Sequence, residues 1–148
     1  MTEKTASVRW EGQGKLGLGK ISTETGALTE YPYGFVSRFG DDRHGTNPEE
    51  LLGAAHAACF TMAFSLACDK AGLVTTNIET AASVRLVKEG EGFVIDRIAL
   101  TMQAAVPGAN ETRFQEIAAL AKRDCPLSKA LGSVAEITLL ATLKNDIR

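Results

Sequence analysis

Three cysteines, Cys59, Cys68 and Cys125, carry whatever nucleophilic or redox chemistry this chain has. Cys125 directly precedes Pro126, a spacing that sets a cysteine at the N-cap of a short helix. Unpaired backbone N–H groups and the helix dipole favour a thiolate there. Cys59 stands among Ala58, Phe60 and Met62, and apolar surroundings hold a thiol protonated. From spacing alone, Cys125 is the nucleophile and Cys59 its buried neighbour. Cys68 lies nine positions after Cys59. At about 100° per residue that puts it on the opposite side of a helix, so it reads as structural.

His56 precedes Cys59 by three residues and shares its helix face, which leaves a Cys–His nucleophilic pair open. The apolar setting suits a hydrogen-bonded core histidine as well. His44, in a polar loop, has little claim. Arg38 is a surface side chain if it points outward. Turned inward, its guanidinium demands a carboxylate, and Glu49 or Glu50 is at hand. The cysteines are isolated singles, so no metal site is expected. Residues 12–17, GQGKLG, formally match G-x-G-x-x-G. Strand-like sequence follows instead of an opening helix, so these are glycines of a twisted hairpin.

Positioning these groups falls to one stretch, Gly45 to Gly72, which lacks any charge between Leu51 and Cys68. Thr46 and Asn47 are alternative N-caps, Pro48 suits the first helical position, and Glu49 and Glu50 complement the dipole. Lys70 and Gly72 close it. A helix of about 25 residues spans roughly 37 Å, and with no polar face it is expected to be buried on nearly all sides. Ala-rich composition with His56, Thr61 and Ser65 argues for a core helix of an intertwined oligomer and against a membrane span.

Around it, residues 6–40 read as a β-meander. Ser7–Trp10 and Leu16–Ile21 are strands, Tyr31–Gly34 a turn, and Phe35–Phe39 a strand with alternating faces. Ile78–Lys88 and Phe93–Ala104 form a hairpin. Glu111–Lys122 is an amphipathic helix burying Phe114, Ile117, Ala118 and Ala121. Cys125–Pro126 opens a short helix, and Ala135–Leu143 is a closing strand. The expected class is α+β, with further antiparallel strands and helices after the central helix, in one domain covering 1–148. Net charge of −2 and a pI of about 5.7, with no basic cluster, disfavour nucleic acid and anionic lipid as partners. The N-terminus MTEKTASVRW has no apolar signal core, so the cytoplasm is the expected compartment. Asn110-Glu111-Thr112 reads as a helix start.

The runs PYGFVSRF (32–39), NPEELLGAAHAACF (47–60), AVPG (105–108) and CP-x-S (125–128) together resemble the OsmC family across essentially the whole chain. They are closer to its osmotically inducible branch than to the organic-hydroperoxide-resistance branch. The resemblance implies a thiol-dependent peroxidase acting on organic hydroperoxides, with a dithiol or lipoyl-type reductant and no bound cofactor. It also implies an intertwined homodimer with two composite sites. Cys59 then corresponds to the peroxidatic cysteine and Cys125 to the resolving one, which reverses the choice made from spacing. Arg38 corresponds to the activating arginine and Glu49 to the carboxylate holding it. A guanidinium within about 4–6 Å makes a buried thiolate tenable.

Phe35, Phe39, Phe60 and Met62 are candidate walls of an apolar substrate pocket. Two rival functions stay open: a Cys59–His56 acyl-transfer enzyme, and a redox-sensing or small-molecule-binding protein.

Overall fold

In the computed structural model, residues 1–144 are described. The elements run β1 (Ala6–Glu11), β2 (Leu18–Thr23), β3 (Tyr31–Gly34), α1 (Phe35–Phe39), α2 (Pro48–Lys70), β4 (Asn77–Glu89), β5 (Gly92–Ala105), α3 (Glu111–Asp124), α4 (Pro126–Ala130) and β6 (Glu136–Lys144). The class is α+β. By its contacts the chain divides into two compact units, Met1–Leu51 and Leu52 onward, with α2 beginning in the first and continuing through the second.

The first unit is an antiparallel meander in the order β1-β2-β3. The ring of Tyr33 lies over Gly19, where a Cβ would collide with it, and Trp10 meets Tyr33 edge-on at 5.6 Å. Two expectations fail here. Tyr31–Gly34 is an edge strand and not a turn; Pro32 is tolerated because an edge strand has an unpaired side. Phe35–Phe39 is helical and not a strand. Over five residues an alternating pattern and an i,i+4 pattern coincide, and the rings of Phe35 and Phe39 meet at a tilt, 4.8 Å apart, as i,i+4 neighbours do. The Ser37 hydroxyl decides the outcome, accepting from the Gly34 N–H at 2.9 Å and donating to the Thr46 carbonyl at 2.8 Å. Between Leu16 and Leu18 the expected strand is also displaced, since Gly14–Leu16 form a tight 3₁₀ turn.

In the second unit β4 and β5 pair antiparallel, as expected. β6 is parallel to β5, which corrects the expectation of antiparallel strands only. The chain crosses over through α3 and α4 and therefore returns in the same direction. Asn110 caps α3 by accepting from the Arg113 N–H at 2.8 Å, and Phe114, Ile117, Ala118 and Ala121 are buried. They pack with Phe60, Phe64, Ile98, Leu100 and Met102 into the core.

Helix α2 is capped by Asn47, whose side chain accepts from the Glu50 N–H at 2.8 Å. By length and composition it would also serve to cross a membrane. Its buried stripe instead follows the fold's own core: Gly53, His56, Phe60, Phe64 and Cys68. Gly53 sits against Val84 and Ala82 of β4, and Thr61 hydrogen-bonds Thr80 at 2.6 Å. The opposite stripe is not covered. Ala54, Ala58, Met62 and Leu66, spaced four apart, are exposed, Met62 at 67% and Leu66 at 57%. Burial on nearly all sides is thus not achieved within one chain. Both faces are apolar, and among the described residues only one has a partner in the fold.

Candidate active site

The site is built where α2 meets the junction of α3 and α4. Cys125 closes α3, with its N–H bonded to the Ala121 carbonyl at 2.9 Å, and stands at the head of α4. Pro126 cannot continue α3 and suits the first position of a new helix, so the chain turns at this cysteine. The turn brings the Cys125 sulfur 3.1 Å from that of Cys59, 66 residues earlier in sequence. All three cysteines are free thiols.

Access and acidity divide the two sulfurs in opposite senses. Cys59 is partly exposed and lines a cavity of about 530 Å³, together with Met62, Ala63, Leu66, Leu120 and Pro126. Cys125 is entirely buried, which overturns the picture of Cys59 as the inner partner. Burial pushes the Cys59 thiol up, and Cys125 adds to this against the pull of the Leu127 N–H; its net direction is upward. Burial pushes Cys125 up too. The Ser128 N–H, the Cys59 thiol, the Ser128 hydroxyl and the Leu127 N–H outweigh it, so Cys125 falls below the ordinary thiol value. Within the single chain, the hidden sulfur is the more acidic one. Cys68 is buried in the core, its thiol pushed up by burial, as befits a structural residue.

Arg38 and Glu49 form a separate ion pair in the first unit. Arg38 Nε donates to both Glu49 carboxylate oxygens at 3.2 Å, and Nη2 donates to Oε1 at 2.7 Å. Of the two carboxylates considered, Glu49 holds Arg38; Glu50 accepts instead from the Thr46 hydroxyl at 2.8 Å. His56 does not pair with Cys59. It is fully buried and its Nε2 meets the Ser128 hydroxyl at 2.9 Å.

Of the four proposed pocket walls, Met62 lines the Cys59 cavity. Phe60 does not: its ring is fully buried beside Phe64, because position 60 belongs to the inward stripe of α2. Phe35 and Phe39 lie on α1 in the first unit. Ser128 and the Leu127 N–H were not anticipated as site groups. The signal was present in Cys-Pro-x-Ser, which sets the hydroxyl three residues after the cysteine, in reach of it across one helical turn. Among the described residues no cluster of three or more His, Cys, Asp or Glu could hold a metal.

Residues 40–140 match the family model described as OsmC-like protein. The chain is 50% identical over 142 residues to peroxiredoxin OsmC of Escherichia coli (strain K12), covering 96% of this chain and 97% of that one. It is 33% identical over 98 residues to the organic hydroperoxide resistance protein of Xanthomonas axonopodis pv. citri (strain 306), covering 64% and 66%. The crystal structure of organic hydroperoxide resistance protein OhrB of Bacillus subtilis aligns with a TM-score of 0.66 at 27% identity, over 95% of this chain and 98% of that one.

Proposed function

The chain belongs to the OsmC-like family, and on that premise we infer that it is a thiol-dependent peroxidase reducing organic hydroperoxides to alcohols. The observation carrying this function is the sulfur pair, two free thiols 3.1 Å apart of which only Cys59 faces the apolar cavity. A peroxide in that cavity meets Cys59 and not Cys125, so access outranks acidity in choosing the peroxidatic residue. The Cys59 thiolate attacks the distal peroxide oxygen, the O–O bond breaks, and the alkoxide takes up a proton and leaves as the alcohol. A sulfenic acid remains on Cys59. Cys125 condenses with it to a disulfide, and an external dithiol of the lipoyl type resets the pair by exchange. A dithiol pool of this kind fits a cytoplasmic location.

Cys59 needs a cation to be a thiolate, since its surroundings in the single chain push it upward. Arg38, fastened to Glu49, is that cation. Glu49 and Cys59 lie ten residues apart on α2, about 15 Å along the axis. A carboxylate side chain does not span that length, so the Arg38–Glu49 pair serves Cys59 of a second subunit. Two α2 helices running antiparallel bring each N-terminus level with the other's middle. The exposed stripe Ala54–Ala58–Met62–Leu66 supports this arrangement, for a twin helix would cover it. The functional form is a C2 homodimer with two shared sites.

Steady-state turnover tests the activity, with cumene hydroperoxide set against hydrogen peroxide and dihydrolipoamide set against thioredoxin. Sustained turnover, faster with cumene hydroperoxide and dihydrolipoamide, is expected. One round of disulfide formation without turnover in excess dithiol would instead identify a redox sensor.

A further inference from the structure

The peroxidase cycle leaves one buried polar group without a role. His56 stands on the inward stripe of α2, between Gly53 and Phe60, and is fully enclosed. Its Nε2 lies 2.9 Å from Ser128 Oγ on α4, and its Nδ1 is buried with no partner. A buried imidazole is costly unless it is hydrogen-bonded, and among the described residues Ser128 is the ring's sole partner. The place of this bond is distinctive. Three residues back along α2 and three forward from Cys125 lead from the sulfur–sulfur contact to the His56–Ser128 contact. Residues three apart on a helix are neighbours on one face. The Lys129 N–H, bonded to the Cys125 carbonyl at 3.1 Å, closes the turn that joins Cys125 to Ser128. The two contacts are successive rungs between the same two segments, one helical turn apart. Helix α4 has little else to fix it: it is five residues long, none of them fully buried, and Leu127 alone packs in part against the core.

We propose that His56 and Ser128 are positioning residues for the resolving step, their hydrogen bond pinning α4 to α2 one turn from the sulfurs and so keeping Cys125 in line with Cys59. The pin acts by placing α4 and needs no contact with either thiol. This role rests on the peroxidase function inferred above. In the resolving step the Cys125 sulfur gives up its proton and attacks the sulfur of the Cys59 sulfenic acid. The S–S bond forms, the S–O bond breaks, and the hydroxide takes up that proton and leaves as one water. The Cys59 sulfur is reduced and the Cys125 sulfur oxidised. Such a closure depends steeply on geometry, since a misplacement of about 1 Å costs up to about a hundredfold in rate. A free α4 would lose that alignment, and the buried bond 2.9 Å long prevents it.

The first experiment uses no peroxide. Protein carrying Cys68→Ala is equilibrated with mixtures of reduced and oxidised dithiothreitol, and the Cys59–Cys125 disulfide is measured by mass after thiol alkylation. Ser128→Ala and His56→Leu should each make closure about tenfold less favourable, raising the reduction potential by about 30 mV. Ser128→Thr, which keeps the hydroxyl, should restore most of the shift. An unchanged potential in Ser128→Ala overturns the proposal even if the variant unfolds at lower urea, because a bond serving stability alone would behave that way. Ser128 is only half-buried and loses a single oxygen, so this variant keeps the test alive should His56→Leu not fold.

The second experiment mixes reduced protein, cysteines intact, with one equivalent of cumene hydroperoxide in stopped flow. Ser128→Ala should slow disulfide formation about tenfold, while sulfenic acid formation, which does not use Cys125, keeps its rate. Equal slowing of both phases, or of neither, overturns the positioning role. Failure of the wild type to oxidise at all would sink the peroxidase function, and the dithiothreitol equilibrium would still decide the pin.

Discussion

An inactive variant and a weakened one should together regain activity if the site is shared between subunits. Cys59→Ser removes the nucleophile outright. Glu49→Gln acts more gently, weakening the hold on Arg38 that now rests on contacts of 2.7 and 3.2 Å. Charged hydrogen bonds contribute about 1.5–3 kcal/mol, and Arg38 is 37% exposed, so the low end applies and turnover falls roughly tenfold. In a mixed dimer with shared sites, both lesions fall in one site and the other is assembled wholly from intact residues. Random exchange makes about half the dimers mixed, each with one working site, so activity recovers to about a quarter of wild type. If each site belonged to one chain, the same mixture would show about a twentieth, all of it residual Glu49→Gln turnover. The assay is co-refolding of differently tagged subunits, tandem purification to establish that mixed dimers form, and steady-state reduction of cumene hydroperoxide. Mixed dimers present in the expected proportion but fixed near a twentieth would refute the shared site.

Cys59→Ser should abolish turnover, whereas Cys125→Ser should still consume about one peroxide per site without dithiol and leave a sulfenic acid that dimedone traps. An adduct in Cys59→Ser and none in Cys125→Ser would reverse the roles; Cys68→Ala should change turnover little. Arg38→Met should raise the Cys59 pKa, because a cation favours the charged form while burial and Cys125 oppose it. Its first oxidation should therefore be slow at pH 7 and recover as pH rises, and equal rates in mutant and wild type from about pH 6 to 9 would exclude Arg38. Phe64→Ala, emptying a fully buried position against Phe60 and Phe114, should cost about 3–5 kcal/mol in urea unfolding.

Long periodic elements were legible in the sequence, and short ones were not. The β4–β5 hairpin, α2, α3 and β6 lie within a few residues of where pattern and capping place them, because each repeats its period several times. Phe35–Phe39 offers too few residues to separate two periods, and the outcome hangs on Ser37, a polar residue the hydrophobic pattern ignores. β6 carries no local mark of being parallel; direction is set by the crossover that precedes it. At the site, Arg38 with Glu49 was readable as a guanidinium needing a carboxylate near a helix start. The relation between Cys59 and Cys125 was readable only in part. Helical position gave their relative acidities, but burial, which decides access, depends on the α3–α4 corner. Phe60 was misplaced for the same reason, since an unbroken apolar helix does not announce which of its faces is inward.

The distance of 3.1 Å between the two sulfurs also sets how this protein behaves when peroxide runs to excess. On the cycle proposed above, a sulfenic acid on Cys59 has two competing fates, closure by its neighbour or further oxidation by a second peroxide molecule. Well-oriented intramolecular groups act with effective molarities on the order of 10⁵ M or more, far above any concentration peroxide reaches in a cell. Closure wins that race by a wide margin as long as Cys125 is in place. An overwhelmed population should therefore collect as the disulfide, waiting for reductant, and not as irreversibly oxidised protein. Saturation would then be a pause, lifted by the next dithiol to arrive, and the lasting damage would fall only on chains that have lost Cys125.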